Sequence, residues 1–64
     1  MIVYLDVIDK LAKAGYNTTR IRREHLISEQ TLTNIRNGDY ISLKTLDVIC
    51  ELTGLPVEQL IKYV

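Results

Sequence analysis

Three glycines and one proline divide this 64-residue chain into short segments. Between Gly15, Gly38, Gly54 and Pro56, apolar residues recur every three or four positions, a spacing typical of amphipathic helices. Glycine ends helices in the left-handed conformation, and proline is favoured in their first turn. The pattern predicts an all-α fold of five short helices, with a single domain covering residues 1–64.

Capping residues set the ends of the predicted helices. The first helix is expected at about residues 4–14, and the second at about residues 18–25, with Asn17 or Thr18 as its N-cap. Pro56 opens a last short helix that reaches about residue 61. The chain ends at residues 1–3 and 62–64 can instead pair as two small strands.

The third and fourth helices begin in the same way, with an isoleucine before an N-cap serine, Ser28 or Ser42. We expect the third helix at residues 28–37 and the fourth to end at Gly54. Leu32 and Ile35 are the only large apolar residues of the third helix, so they are expected to face the core.

The charges and the reactive side chains exclude several classes of function. Lys and Arg balance Asp and Glu at eight each, which excludes a polybasic tail, although all four arginines lie between residues 20 and 36. This clustering is a weak signal for an anion-facing surface, and a solvated helix face is the commoner meaning of such arginines. His25 and Cys50 have no metal-ligand spacing around them. We therefore expect no enzyme activity, no metal, no cofactor and no small-molecule ligand.

Two acidic residues, Asp6 and Asp9, interrupt the apolar N-terminal stretch, so it matches neither a signal peptide nor a membrane span. A cytoplasmic location without membrane attachment is expected. Tyr40 and Tyr63 are expected to be packing residues rather than stacking partners for bases. The apolar residues near the C-terminus exceed the needs of so small a core, and some of them could form a dimer patch.

The third helix has an unusual outward composition, rich in amides and hydroxyls rather than in lysine and alanine. Asn and Thr are poor helix formers, tolerated where the side chain has another task. The amide of Asn or Gln presents a donor and an acceptor that match adenine in the major groove, and a threonine methyl can contact thymine. Taken alone, the pattern fits a solvated polar helix equally well. The outward residues are Glu29, Gln30, Thr31, Thr33, Asn34 and Asn37.

The order of these signals resembles the Xre/Cro-type helix-turn-helix family, the lambda repressor-like DNA-binding domain. The resemblance covers essentially the whole chain, including both capping serines, the glycines and the proline. It is carried by Gly15-Tyr16-Asn17-Thr18-Thr19-Arg20-Ile21, Ile27-Ser28-Glu29-Gln30-Thr31-Leu32, Ile35-Arg36-Asn37-Gly38 and Ser42-Leu43-Lys44-Thr45-Leu46.

The resemblance implies a sequence-specific transcriptional regulator, a repressor of bacterial or phage type, that binds double-stranded DNA as a homodimer. It places the third helix in the major groove and the second helix against a backbone phosphate. The implied DNA-binding residues are Asn17, Thr18, Ser28, Glu29, Gln30, Thr31, Thr33, Asn34, Asn37 and Lys44. The alternative is a protein-interaction module, antitoxin-like or a phage antagonist, that keeps the fold without binding DNA.

Four residues depart from the family's usual pattern. Arg22 stands where alanine is usual at the helix crossing, so its charged group is expected in solvent or at a phosphate. His25 replaces an apolar residue, and Leu26 stands where glycine is frequent; Leu26 could supply the missing apolar contact. Arg36 replaces an acid, and could pair with an aspartate of the first helix or meet a phosphate.

Overall fold

The structure, a computed structural model, describes residues 1–64 and contains four α-helices and a two-stranded sheet. The strands are β1 (Ile2–Tyr4) and β2 (Ile61–Tyr63), and a single 3-10 turn spans Val57–Gln59. The prediction of an all-α fold with five helices is therefore wrong at both ends of the chain. The helices are α1 (Val7–Lys13), α2 (Thr18–Arg23), α3 (Glu29–Asn37) and α4 (Leu43–Thr53).

The sheet replaces the ends of the first and fifth predicted helices. The strands pair antiparallel, with Ile2 opposite Tyr63 and Tyr4 opposite Ile61, and the Leu5 N–H donates to the Leu60 carbonyl at 2.9 Å. Isoleucine, valine and tyrosine favour strands, and pairing satisfies backbone groups that a two-turn helix would leave free. The alternative of small terminal strands is thus confirmed, displaced by one residue.

The break between β1 and α1 lies at Asp6, whose φ of 52° is left-handed. Because a residue in the left-handed conformation cannot continue a right-handed helix, α1 begins after Asp6, at Val7, rather than at residue 4. A second left-handed residue, His25 (φ 54°), follows α2 and accounts for its end at Arg23 rather than at residue 25.

The predicted capping residues are confirmed for three helices. The Asn17 side chain accepts a hydrogen bond from the Arg20 N–H at 2.8 Å and caps α2. Ser28 and Ser42 accept from the backbone N–H three residues ahead, each at 3.1 Å, and cap α3 and α4. Gly38 (φ 79°) ends α3 in the left-handed conformation, as expected.

The core draws on every α-helix, on Ile27 in the turn between α2 and α3, and on Leu60 after the 3-10 turn. From α3, only Leu32 and Ile35 are buried, as predicted from their spacing. Tyr40 and Tyr63, expected to be packing residues, are 65 % and 82 % exposed and lie outside the buried core. The buried set is Val7, Leu11, Ile21, Ile27, Leu32, Ile35, Ile49 and Leu60.

The helices are too short for a lipid bilayer. None is long and apolar enough to span a membrane.

Candidate nucleic-acid interface

The turn between α2 and α3 holds the two helices in a fixed relation through buried and half-buried side chains. Ile27 is 6 % exposed, and Leu26 is half-buried against the core. The Leu26 N–H donates to the Ile21 carbonyl at 3.1 Å, which closes the end of α2. Leu26 therefore makes the apolar contact anticipated for it, while the left-handed position of the turn belongs to His25.

One face of α3 carries four side chains with amide or hydroxyl groups and no charge. Gln30, Thr33, Asn34 and Asn37 are spaced three, four and seven residues from the first, so they lie along one side of the helix. Three of them are exposed, and Asn34 is half-buried. We call these four residues the outward face, because it lies opposite the buried pair Leu32 and Ile35.

Two amides of the outward face bond to each other. The Gln30 Nε2 donates to the Asn34 Oδ1 at 2.9 Å. This bond orients both side chains and leaves the Gln30 carbonyl oxygen as a free acceptor and the Asn34 amide as a donor. The pair therefore presents complementary groups side by side, the pattern that a base edge requires.

At the first turn of α3, two residues predicted to contact DNA, Ser28 and Thr31, bond to each other and cap the helix. The Ser28 hydroxyl donates to the Thr31 Oγ1 at 2.8 Å and also accepts from the Thr31 N–H. Thr31 is half-buried, whereas Ser28 is exposed. Both side chains thus belong to the cap, and Thr31 lies at the margin of the outward face.

An ion pair joins α2 to α3. The Arg22 guanidinium bonds the Glu29 carboxylate, and the two side chains are 47 % and 62 % exposed. Arg22 is therefore exposed, as expected, but its guanidinium is paired with a carboxylate instead of being free. Its guanidinium reaches across the helix crossing, where a nearby carboxylate supplies a charge-assisted hydrogen bond. Glu29, expected to face the major groove, is engaged in the same pair.

A second arginine of α2, Arg20, has three interaction partners within the chain, whereas Arg22 has one. Arg20 Nε bonds the Glu24 carboxylate at 2.6 Å, and its Nη1 donates to the Gly15 carbonyl at 3.0 Å. Its guanidinium carbon lies 4.4 Å from the centre of the Tyr16 ring, within cation–π range. The bond to Glu24 raises the pKa of Arg20 further. This arginine serves the α1–α2 junction.

Three other cations near this surface have no carboxylate within ion-pair distance: Arg23, Arg36 and Lys44. Arg36 forms no ion pair with Asp6 or Asp9; Asp9 bonds Lys13 at 3.0 Å. Lys44 is exposed in the first turn of α4.

Residues at two helix boundaries, the start of α2 and the end of α3, complete the predicted set. Asn17 is exposed, and because its Oδ1 accepts the capping bond, its amide nitrogen is free to donate. Thr18 beside it is half-buried, and Asn37 is exposed next to Gly38. All the predicted contact residues therefore keep some exposure, and none belongs to the core.

The loop after α3 is tied to the sheet by a bond that the sequence does not reveal. The Tyr4 hydroxyl donates to the Asp39 carbonyl at 2.6 Å. Burial and the nearby negative charge of Asp39 raise the pKa of Tyr4. Because Tyr4 is expected inside the first helix, no local pattern points to this contact.

Comparison with known protein families matches residues 8–64 of this chain to the family described as the Cro/C1-type helix-turn-helix DNA-binding domain. The chain belongs to the Cro/C1-type helix-turn-helix family. The family resemblance is therefore confirmed. Membership of this family supports the general class of DNA-binding regulator for the chain. No curated protein and no solved structure matches it at a significant level.

Proposed function

We propose that this Cro/C1-type domain is a sequence-specific transcriptional regulator, acting as a repressor, that inserts α3 into the major groove of double-stranded DNA. The observation that carries the proposal is the outward face: uncharged amides and hydroxyls on the side of α3 opposite its two core residues. Burial of Leu32 and Ile35 fixes the helix, and the polar side chains project from a rigid support. A protein needs such preorganisation to discriminate between bases.

The outward face favours adenine and thymine. The Gln30 carbonyl can accept from adenine N6, and the Asn34 amide, already oriented by the Gln30–Asn34 bond, can donate to adenine N7. The methyl group of Thr33 suits the thymine methyl. Glu29 lies beside the outward face, and its carboxylate is already paired with Arg22. We propose that it holds Arg22 in place rather than contacting a base.

Contacts to the DNA backbone would set the position of α3. The Asn17 amide and Thr18 at the start of α2 donate to one phosphate, and Asn37 and Lys44 flank the groove on the other side. Ser28 and Thr31 act at the first turn of α3. With zero net charge and few free cations, this contact set predicts weak non-specific binding.

A domain of this size covers about one half-site. Its radius of gyration is 10.7 Å, whereas half-sites read by paired helix-turn-helix units lie about 34 Å apart. We therefore propose that two copies bind a nearly palindromic operator. Both would approach the same face of the duplex.

Selection of bound sequences from random DNA, followed by titration of the selected duplex, tests the proposal. Gln30→Ala and Asn34→Ala are expected to weaken binding to the selected duplex by about 10- to 100-fold and to relax base choice at one position. Gln59→Ala, which removes an exposed glutamine outside α3, is the matched control and should leave binding unchanged. Absence of any salt-sensitive complex at micromolar protein would refute DNA recognition.

The second candidate is a protein-interaction module on the same fold. Zero net charge favours it, and so does the engagement of Arg20 and Arg22 in internal ion pairs, which leaves few cations for phosphates. In that case the Gln30 and Asn34 variants would keep every measurable binding property, and no DNA sequence would be enriched.

A further inference from the structure

The only cation on α3 has no charged partner inside the chain. Arg36 is exposed in the last turn of the helix, and its guanidinium forms no ion pair. The carboxylates closest to it in sequence leave it unpaired: Glu29 bonds Arg22, and Asp39 lies in the loop after the helix. Arg36 also stands outside the residues proposed above to contact DNA. Its charge is therefore available to an anion outside the chain.

Helix geometry places Arg36 at one margin of the outward face. It lies three residues beyond Thr33, a member of that face, and seven residues beyond Glu29. Residues at these spacings follow one side of an α-helix. Glu29 bonds Arg22 of α2, so this side of α3 is the one next to α2. Arg36 therefore borders the outward face on the α2 side.

The width of the major groove brings this margin of α3 against the DNA backbone. An α-helix with its side chains is about 10–12 Å across, and the major groove is about 12 Å wide. When the outward face points to the base edges, the two margins of α3 therefore lie beside the two phosphate backbones. The first helix of a helix-turn-helix crosses one of these backbones, and in this chain that helix is α2.

We infer that Arg36 binds a phosphate of the strand that α2 crosses and so holds the last turn of α3 against the backbone. The inference rests on the proposed function, which places α3 in the major groove. A guanidinium binds phosphate oxygens through two parallel N–H bonds, which supply direction as well as charge. Binding breaks no internal ion pair at Arg36, whereas Arg20 and Arg22 already bond carboxylates.

The position of Arg36 at the end of α3 also suits a purely structural role. A cation in the last turn interacts favourably with the negative end of the helix dipole. That role acts on the stability of α3 and depends on no phosphate. Salt dependence and the response to single phosphates distinguish the two roles, because only a phosphate contact changes them.

Fluorescence anisotropy of the selected duplex between about 50 and about 200 mM salt tests the contact. Arg36→Gln should lower the slope of log affinity against log salt concentration by about 0.9 per protomer, and lower the affinity at about 0.1 M salt by roughly eightfold. Arg36→Lys should keep the wild-type slope, because the ammonium carries the same charge. Neither variant should change base preference, since a phosphate contact carries no sequence information.

Arg23→Gln is the matched control, because it removes the same charge from another exposed arginine without an ion pair. Arg23 lies two residues after the buried Ile21, so its side chain starts about 200° around α2 from the core side. It therefore projects away from the domain, whereas Arg22 carries the side next to α3. Arg23→Gln should keep the wild-type slope and affinity.

Duplexes in which single phosphates are replaced by uncharged methylphosphonates locate the contact. One replacement in the strand that α2 crosses should weaken binding by the wild type and by Arg23→Gln, but not by Arg36→Gln, which has already lost that contact. An Arg36→Gln variant that keeps the wild-type salt slope, or that responds to every replacement as the wild type does, would overturn the inference. So would a change of base preference at one position, since Arg36 would then contact a base.

The same titrations separate this inference from the proposed function. A wild type that forms no salt-sensitive complex with any duplex would refute both. Sequence-specific binding with an unchanged slope in Arg36→Gln would uphold the proposed function and overturn the phosphate contact. Conversely, binding whose salt slope depends on Arg36, but which is equally strong on all duplexes, would uphold the phosphate contact and refute sequence-specific regulation.

Discussion

Breaking the ion pair between Arg22 and Glu29 should change stability and DNA binding in opposite directions: the fold becomes less stable and DNA binding becomes tighter. Glu29→Gln removes the carboxylate and frees the Arg22 guanidinium. Because the two side chains are 47 % and 62 % exposed, solvent screens the pair. We expect its loss to cost about 0.2–1 kcal/mol of unfolding free energy, as for other exposed pairs.

DNA binding should become tighter and more sensitive to salt. The freed guanidinium gains one phosphate contact per protomer, and a negative charge disappears from the interface. Each neutralised phosphate adds about 0.9 to the slope of log affinity against log salt concentration. Between about 50 and about 200 mM salt, the Glu29→Gln variant should therefore lose roughly 3.5-fold more affinity per protomer than the wild type.

Fluorescence anisotropy of a labelled duplex at several salt concentrations measures both effects. Glu24→Gln is the matched control, because it breaks the other arginine–glutamate pair of α2. There, Arg20 remains held by the Gly15 carbonyl and the Tyr16 ring, so the salt slope should not change. A Glu29→Gln slope equal to that of the control would refute the reasoning. So would weaker binding at low salt, since Glu29 would then contact a base itself.

Two further predictions concern the fold that supports α3. Leu32→Ala leaves a cavity at a fully buried site and should lower the unfolding free energy by about 2–5 kcal/mol in urea titrations, whereas Thr33→Ala beside it should change it by less than about 0.5 kcal/mol. Tyr4→Phe should destabilise the chain at neutral pH by removing the bond to Asp39. Because the folded state raises the pKa of Tyr4, its contribution is present below the ordinary value of 10.0 and lost as pH rises through the folded value. Urea midpoints of wild type and variant should therefore converge at high pH; a constant difference would contradict this.

The helix that carries the outward face was predictable because its signals are local. Ser28 as N-cap, Gly38 as C-cap and the pair Leu32 and Ile35 lie within eleven residues, and the structure agrees with all of them. The exposed polar side of α3 follows directly, since a helix with one buried stripe turns its other side outward.

The Arg22–Glu29 pair was not predictable in the same way. Both residues are visible in the sequence as exposed charges, but whether they meet depends on how α2 crosses α3. Arg22 therefore seemed free for solvent or phosphate. The same limit applies to Tyr40 and Tyr63, since whether a tyrosine packs inside depends on the space left by distant residues.

The sequence by itself determined the capped helices α2, α3 and α4, because capping and hydrophobic spacing act over a few neighbouring residues. Only the tertiary structure decided that the two chain ends pair as strands, and that the pairing includes residues 4 and 61, which were expected in helices. The two strands, β1 and β2, are nearly the whole chain apart, and short segments take whichever conformation their distant hydrogen-bond partners stabilise. The same long-range pairing brings Ile2 beside Tyr63.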